Sequence, residues 1–205
     1  IPIPFFQRII AIGAPLNIRN FRGSNPLHNI ARNRLEDSKE LLDLFYDTFK
    51  DEVKECMEMR DQQELKTPSM IAAMNGNILF IQWAKEKNLI DFSAKDEHGQ
   101  TCLLLASASG KPLATKTVSF LLDCSSDPRV KDKHGNSCLL NAAKVGNIET
   151  IQILLEKGAN VLDTDQKKRN LFHSLCRYGT FEQIFSFFDP KNLKIIKSWP
   201  LKELF

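Results

Sequence analysis

The chain of 205 residues lacks the features that would place it in a membrane or on nucleic acid. No apolar run approaches the ~20 residues that a membrane-spanning helix requires. Residues 1–6 are apolar, but they are few and contain prolines at positions 2 and 4, unlike a signal peptide. The formal net charge of +3 is too small to indicate a nucleic-acid partner by itself. We therefore predict neither membrane insertion nor nucleic-acid binding.

Catalytic signatures are missing as well. The sequence contains no Gly-rich phosphate loop, His-Glu-x-x-His zinc phrase, Gly-x-Ser-x-Gly elbow or EF-hand loop. His98 and His134 could form a metal pair, but zinc needs each nitrogen at ~2.0–2.1 Å and further ligands, which the spacing does not supply. His173 and Cys176 could form a nucleophile pair on one helix, at buried positions, but no third group orients the base. We predict that the chain is not an enzyme and holds no cofactor or metal.

Cysteine is present in an odd number and without any Cys-x-x-Cys pair. The five residues are Cys56, Cys102, Cys124, Cys138 and Cys176. We predict that all five are reduced and structural, which indicates an intracellular, cytoplasmic location.

What the sequence does contain is a repeated phrase. Asp-x-His-Gly-x-[Thr/Ser]-Cys-Leu-Leu-x-Ala spans residues 96–106 and again residues 132–142, with a looser copy at 165–175. A period in the thirties is typical of stacked supersecondary units that share no single closed core. The copies align on one Thr-like position, which is occupied by Asn25, Thr67, Thr101, Ser137 and Asn170.

Each aligned copy has the pattern of two helices. Nine positions after the anchor, four copies have a glycine, which can end a helix in the left-handed region: Gly76, Gly110, Gly146 and Gly179. An amphipathic second helix follows, and it is clearest at Ile148, Ile151, Leu154 and Leu155. The long gap between the first two anchors predicts a single longer second helix over about residues 38–59.

This arrangement resembles the ankyrin repeat, whose phrase is Thr-Pro-Leu-His-x-Ala, a Gly, a Leu-Leu pair and Gly-Ala-Asp. The nearest matches are residues 25–28 and 146–159. The resemblance implies an all-α ankyrin-repeat solenoid of stacked helix-turn-helix units with short β-hairpin-like fingers. Cys102 and Cys138 replace the family proline, whereas His28 and His173 keep the family histidine and are implied to be structural.

We expect one array along the whole chain. It has a partial repeat at 1–16, repeats at about 17–57, 58–91, 92–127, 128–160 and 161–190, and a C-terminal cap at 191–205. Residues 1–12 are interpreted as the second helix of a preceding repeat, so we expect a fragment of a longer protein. Asp189-Pro190 is expected to end the last outer helix.

The resemblance also implies a function, since such arrays bind proteins through finger tips and the exposed side of the first helices. The partner-binding residues predicted in this way are Glu97, His98, Gln100, Lys133, His134, Asn136, Lys144, Lys167, Lys168, Arg169, Arg177 and Tyr178. We predict a non-catalytic module, monomeric in isolation, that binds another protein. The alternative is a regulatory or targeting segment of a larger enzyme, ion channel or secreted bacterial effector.

Charge along the chain leaves two interpretations open. Residues 36–64 carry 11 acidic and 4 basic side chains, and residues 165–202 carry 8 basic and 3 acidic ones. These runs are either solvated faces or complementary patches for a charged partner. If they bind a partner, charge reversal at residues 167–169 is expected to weaken binding and to leave thermal unfolding nearly unchanged.

Overall fold

Helices follow one another along the part of the chain that a computed structural model describes, residues 15–33 and 38–187. They are α1 (Pro26–Arg32), α2 (Ser38–Thr48), α3 (Lys50–Glu58), α4 (Pro68–Asn75), α5 (Ile78–Glu86), α6 (Cys102–Ser107), α7 (Ala114–Asp123), α8 (Cys138–Lys144), α9 (Ile148–Glu156), α10 (Leu171–Tyr178) and α11 (Phe181–Phe187). The helix predicted at residues 1–12, the stop at 189–190 and the cap at 191–205 lie outside the described residues.

The helices form two layers. In the first layer α1, α4, α6, α8 and α10 each pack against the next. In the second layer α2, α5, α7, α9 and α11 do the same, and each of α5, α7 and α9 also packs against the helix that precedes it. Every unit therefore buries its apolar side against its neighbours in a row, which confirms the predicted all-α solenoid.

The first helices begin where the aligned anchors predict. Each anchor is an N-cap in extended conformation, and its side-chain oxygen accepts a hydrogen bond from the backbone N–H three residues later. The donor–acceptor distance is 3.1 Å at Asn25 and Asn170. A short polar side chain at this position contributes about 1 kcal/mol to helix stability. The recurring Thr-like position is therefore fixed by local hydrogen bonding.

The core includes the contacts between neighbouring first helices. Helix α6 is buried along its entire length, and Ala72, Ala106 and Ala142 are completely buried. Small side chains at these positions allow the helix backbones to approach closely, so a larger residue would have to displace a neighbour.

The cysteines do not share one environment, which corrects the prediction that all are structural. Cys56, Cys102 and Cys138 are buried, and burial raises the pKa of the Cys56 thiol to about 11 and of the other two to about 12. These thiols behave as small apolar side chains. Cys124 is half-buried, and Cys176 is exposed at the end of the described array, as is His173. The expected buried positions of His173 and Cys176 were therefore wrong.

The glycine rule holds for only half of the predicted helix ends. Gly76 and Gly146 adopt left-handed φ values of 65° and 66°. Gly110 lies outside that region, and Gly179 has φ −78° and ψ 151°. Gly110 leads into the longer loop before α7, and Gly179 continues in extended conformation toward α11, so neither needs the left-handed turn.

The single long helix predicted over residues 38–59 is wrong. It is divided into α2 and α3 by Phe49, whose φ of −131° and ψ of 49° interrupt the helical backbone. Helix α2 packs against α5, whereas α3 packs against α4. The break lets two consecutive amphipathic segments bury their apolar sides against different partners.

Candidate partner-binding surface

The loops that connect successive helix pairs are fingers held by a carboxylate. In the finger of residues 132–136, Oδ1 of Asp132 accepts hydrogen bonds from the backbone N–H groups of His134 and Asn136 at 2.9 and 2.8 Å. Asp96 and Asp165 do the same in their fingers. Because a side chain takes these donors, the fingers are tight turns. In the described residues the one isolated β-bridge joins Lys131 and Ser137.

Neighbouring fingers are joined by a ladder of backbone hydrogen bonds. The residue after the opening Asp or Asn donates its N–H to a carbonyl at the tip of the preceding finger. The pairs are Gln62 to Arg22 at 2.9 Å, Glu97 to Glu64 at 3.0 Å, Lys133 to His98 at 2.9 Å and Gln166 to His134 at 3.1 Å. The tip backbones are therefore fixed relative to each other, which leaves their side chains available for contacts outside the fold.

Five of the predicted residues are exposed at finger tips: Glu97, Lys133, His134, Lys167 and Lys168. His98 is half-buried, and its ring centroid lies 6.3 Å from that of His134, so corresponding side chains stack from one finger to the next. Among residues 15–33 and 38–187, no group of three or more His, Cys, Asp or Glu side chains could hold a metal ion.

The predicted residues that precede an N-cap, Gln100, Asn136 and Arg169, are half-buried. Nε and Nη2 of Arg169 lie 2.7 and 2.6 Å from Oδ2 of the buried Asp165. Burial raises the pKa of Asp165, but the hydrogen bonds from Arg169 and from backbone N–H groups outweigh it, so this pKa is lowered. Nδ2 of Asn136 similarly donates to Oδ2 of Asp132 at 2.8 Å.

This role of Arg169 changes what we expect of the charge reversal at residues 167–169. Glutamate in place of Arg169 would bring a second negative charge next to the carboxylate of Asp165, and the two would repel each other. The triple reversal would then destabilise the finger, so a loss of binding would not report on the partner contact alone. A test of binding has to use the two lysines.

Helices α8 and α10 end in a second group of predicted residues, Lys144, Arg177 and Tyr178. Nζ of Lys144 donates to Oδ1 of Asn136 at 2.5 Å, and desolvation is the main cause that lowers the Lys144 pKa. The Arg177 guanidinium lies 5.4 Å from the ring centroid of Tyr178. Desolvation raises the Tyr178 pKa, but a hydrogen bond from Arg169 and the charges of Arg177 and Lys144 outweigh it and lower the pKa. The helix ends are thus electropositive.

A groove of 230 Å³ joins the last two fingers to α8. We call it the basic groove, and it is lined by His134, Asn136, Lys144, Asp165, Gln166, Lys167 and Arg169. The structure therefore brings together five residues that were predicted separately from two repeats.

The predicted alignment of residues between repeats was less accurate in the fingers than in the helices. Gln166 occupies the place of Glu97 and Lys133, so the prediction in the last finger begins one residue late. Lys168 occupies the glycine position and has φ 59°, where Gly99 and Gly135 have 77°. The opening Asp lies five residues before the anchor in all three fingers, so counting from either residue places Gln166 at the position of Glu97 and Lys133.

Exposed apolar side chains at the first two fingers were not predicted. Phe21 is 89% exposed, and Leu65 is 46% exposed. Leu65 follows an extra residue in the finger of residues 61–66 and has a left-handed φ of 54°. That insertion accounts for one residue of the long first gap, which the sequence interpretation had assigned entirely to a helix.

A sequence model of a known family, described as ankyrin repeats (3 copies), matches residues 113–188. The matched segment contains the basic groove and the helices that carry it. The match identifies residues 113–188 as ankyrin repeats, and the same two helical layers continue through the helices described before them. No helix within the described ranges is both long enough and apolar enough to cross a membrane.

Proposed function

We propose that this chain is a non-catalytic module that binds another protein through its finger tips and the adjoining ends of its first helices. Ankyrin repeats in general are protein–protein interaction modules. The observation that carries the proposal is the ladder between fingers, because it fixes the tip backbones while the exposed side chains of Lys133 and Lys167 form no ion pair with any described residue. A surface held in this way loses little conformational entropy on binding.

The contacts of the predicted residues divide them into two roles. We assign partner contact first to the residues that are exposed: Glu97, Lys133, His134, Lys167, Lys168, Arg177 and Tyr178. Asn136 and Arg169 hold the fingers, and Lys144 is tied to Asn136. The five cysteines are free thiols, which favours an intracellular, cytoplasmic module. We further propose that it is monomeric in isolation.

A photocrosslinking comparison tests this function. A benzoylphenylalanine at His134 samples the finger surface, and the same group at Glu149, an exposed residue of α9, samples the second layer. In an extract of the native cells, we expect protein adducts from position 134 and few from position 149. The adducts should be lost with Lys133→Glu/Lys167→Glu, whose thermal unfolding should match that of the unsubstituted chain. Equal adducts at both positions, or none at 134, would contradict the proposal.

A further inference from the structure

Several cations at the last two fingers are not neutralised by any residue that the structure describes. Elsewhere lysines form ion pairs, such as Lys157 with Asp123 at 2.8 Å and Lys87 with Asp43 at 3.1 Å. At the last two fingers, Lys133, Lys167 and Lys168 form no ion pair with any described residue, and neither does Arg177 in α10. Lys144 contacts the neutral amide of Asn136. Positive charge therefore accumulates at this end of the surface.

The carboxylates nearest to these cations are already occupied. Asp132 and Asp165 are 8% and 7% exposed, and Oδ1 of each accepts two backbone hydrogen bonds. Their remaining oxygens contact Asn136 and Arg169. An incoming anion would thus meet ammonium groups and amides in the basic groove, where the two described carboxylates already have partners.

The charge of the tips changes from one finger to the next. At the position after the opening Asp or Asn, the fingers carry Phe21, Gln62, Glu97, Lys133 and Gln166. Glu97 is exposed and would repel an acidic ligand, whereas Lys133 one finger later would attract it. This reversal would favour the last two fingers over the finger of Glu97 as the position of an acidic ligand.

We infer that the basic groove, together with Lys133, Lys168 and Arg177, binds a segment of the partner protein rich in Asp and Glu. This inference rests on the proposed function and adds the chemistry of the segment bound at this end. The fork of Arg169, the geometry suited to a single phosphate, is already used by Asp165. The remaining cations are spread over two fingers and two helix ends, which matches several carboxylates in a row. Beside these cations the described chain exposes Tyr178 and the imidazole of His134, but it shows no row of Phe, Tyr or Trp side chains on which successive bases of a single-stranded nucleic acid could stack.

Fluorescence anisotropy with a labelled peptide of alternating Glu and Ala tests this inference, with a Gln/Ala peptide of equal length as the neutral probe. We expect the acidic peptide to bind the whole chain and the neutral peptide to bind about tenfold more weakly or not at all. Binding should weaken several-fold between about 25 and about 150 mM salt, because the contacts are screened.

Two variants localise the contact. Lys133→Gln/Lys167→Gln removes two exposed charges at the groove and is expected to lower the affinity for the acidic peptide about tenfold. Lys111→Gln/Lys116→Gln removes two exposed charges from the loop before α7 and from α7, and it should bind within about twofold of the unsubstituted chain. Both should keep the circular dichroism of the parent, which distinguishes lost binding from lost folding.

Several results would overturn the inference. They are equal binding of the acidic and neutral peptides, an unchanged affinity of Lys133→Gln/Lys167→Gln, or tighter binding of a singly phosphorylated neutral peptide or of single-stranded DNA of equal length. If the acidic peptide fails while position 134 still crosslinks to a protein, only the acidic chemistry is refuted. If position 134 yields no adducts, the proposed function itself fails.

Discussion

A buried ion pair between two fingers is the interaction whose loss should be most costly. Nζ of Lys66 lies 3.2 Å from Oδ2 of Asp96, and the two side chains are 3% and 0% exposed. Oδ1 of Asp96 already accepts hydrogen bonds from His98 and Gln100 at 2.9 and 2.8 Å. Lys66 is the cation for the other oxygen, and it also contacts the half-exposed carboxylate of Glu64.

Lys66→Met keeps most of the side-chain volume but leaves the buried carboxylate without a cation. Breaking one side of a buried pair costs about 3–5 kcal/mol, whereas an exposed pair contributes about 0–1 kcal/mol. We expect the free energy of unfolding to fall by about 3 kcal/mol. This is near the lower limit because Lys66 shares its charge between Asp96 and Glu64, and the half-exposed Glu64 can be solvated when the lysine is lost. Urea denaturation followed by circular dichroism measures the change.

A second substitution separates charge burial from packing. Asn in place of Asp96 keeps an oxygen that can accept both backbone hydrogen bonds and removes the uncompensated charge. Lys66→Met/Asp96→Asn should therefore recover more than half of the loss. Lys39→Met, which removes an exposed pair with Glu86, serves as the control and should cost less than about 1 kcal/mol. A cost below about 1 kcal/mol for Lys66→Met, or no recovery in the double variant, would refute the reasoning.

Four other substitutions test separate parts of the structure. Asn77→Ala removes the N-cap of α5 and three contacts of its Nδ2 with carbonyls at the end of α1, at 3.1–3.4 Å, and should cost about 2–3 kcal/mol in urea denaturation. Lys168→Gly removes the strain of a side chain at a left-handed φ of 59°. It should raise the free energy of unfolding by about 0.5–1 kcal/mol once the greater entropy of glycine in the unfolded chain is deducted, and any decrease would contradict this. Burial lowers the pKa of His28, so its imidazole binds a proton more readily in the unfolded state than in the folded state. The free energy of unfolding should therefore be constant above about pH 6.5 and fall as the pH decreases below that value. His28→Gln should show no such fall when the free energy of unfolding is measured between about pH 5 and 8. Arg169→Glu should lower the unfolding temperature in calorimetry, and an unchanged temperature would show that its pair with a buried carboxylate is dispensable.

The parts of the fold that could be predicted from the sequence are those that local chemistry decides. An N-cap needs a short side chain with an oxygen three residues before its target, so Thr101 and Ser137 identify the helix starts without any tertiary information. The buried alanines follow the same register. The N-cap does not depend on what packs against it, and the alanines recur because each first helix packs against another first helix.

The features that escaped prediction depend on contacts between distant residues. The break at Phe49 reflects two helices with different partners, and a pattern of apolar residues does not show which partner each segment meets. Exposure of Cys176 depends on what lies beside the end of the array. For the candidate surface, the sequence located the fingers themselves but missed Gln166 in the last one. It also missed the structural role of Arg169, because the pairing of Arg169 with Asp165 requires the geometry of the turn.

The position just before each N-cap explains why stability and recognition can change independently on this surface. Lys66, Asn136 and Arg169 all occupy it, and each reaches the carboxylate of a finger, although Lys66 reaches the next finger and the other two their own. Three different side chains therefore perform one task, the compensation of a buried aspartate. Lys133 and Lys167, nearer the tips, contact no such group within the described chain. Substitutions just before the N-cap should hence alter the free energy of unfolding, because the side chains there contact a buried aspartate. Substitutions at the tips should instead alter the choice of partner, because the side chains there do not contact that aspartate.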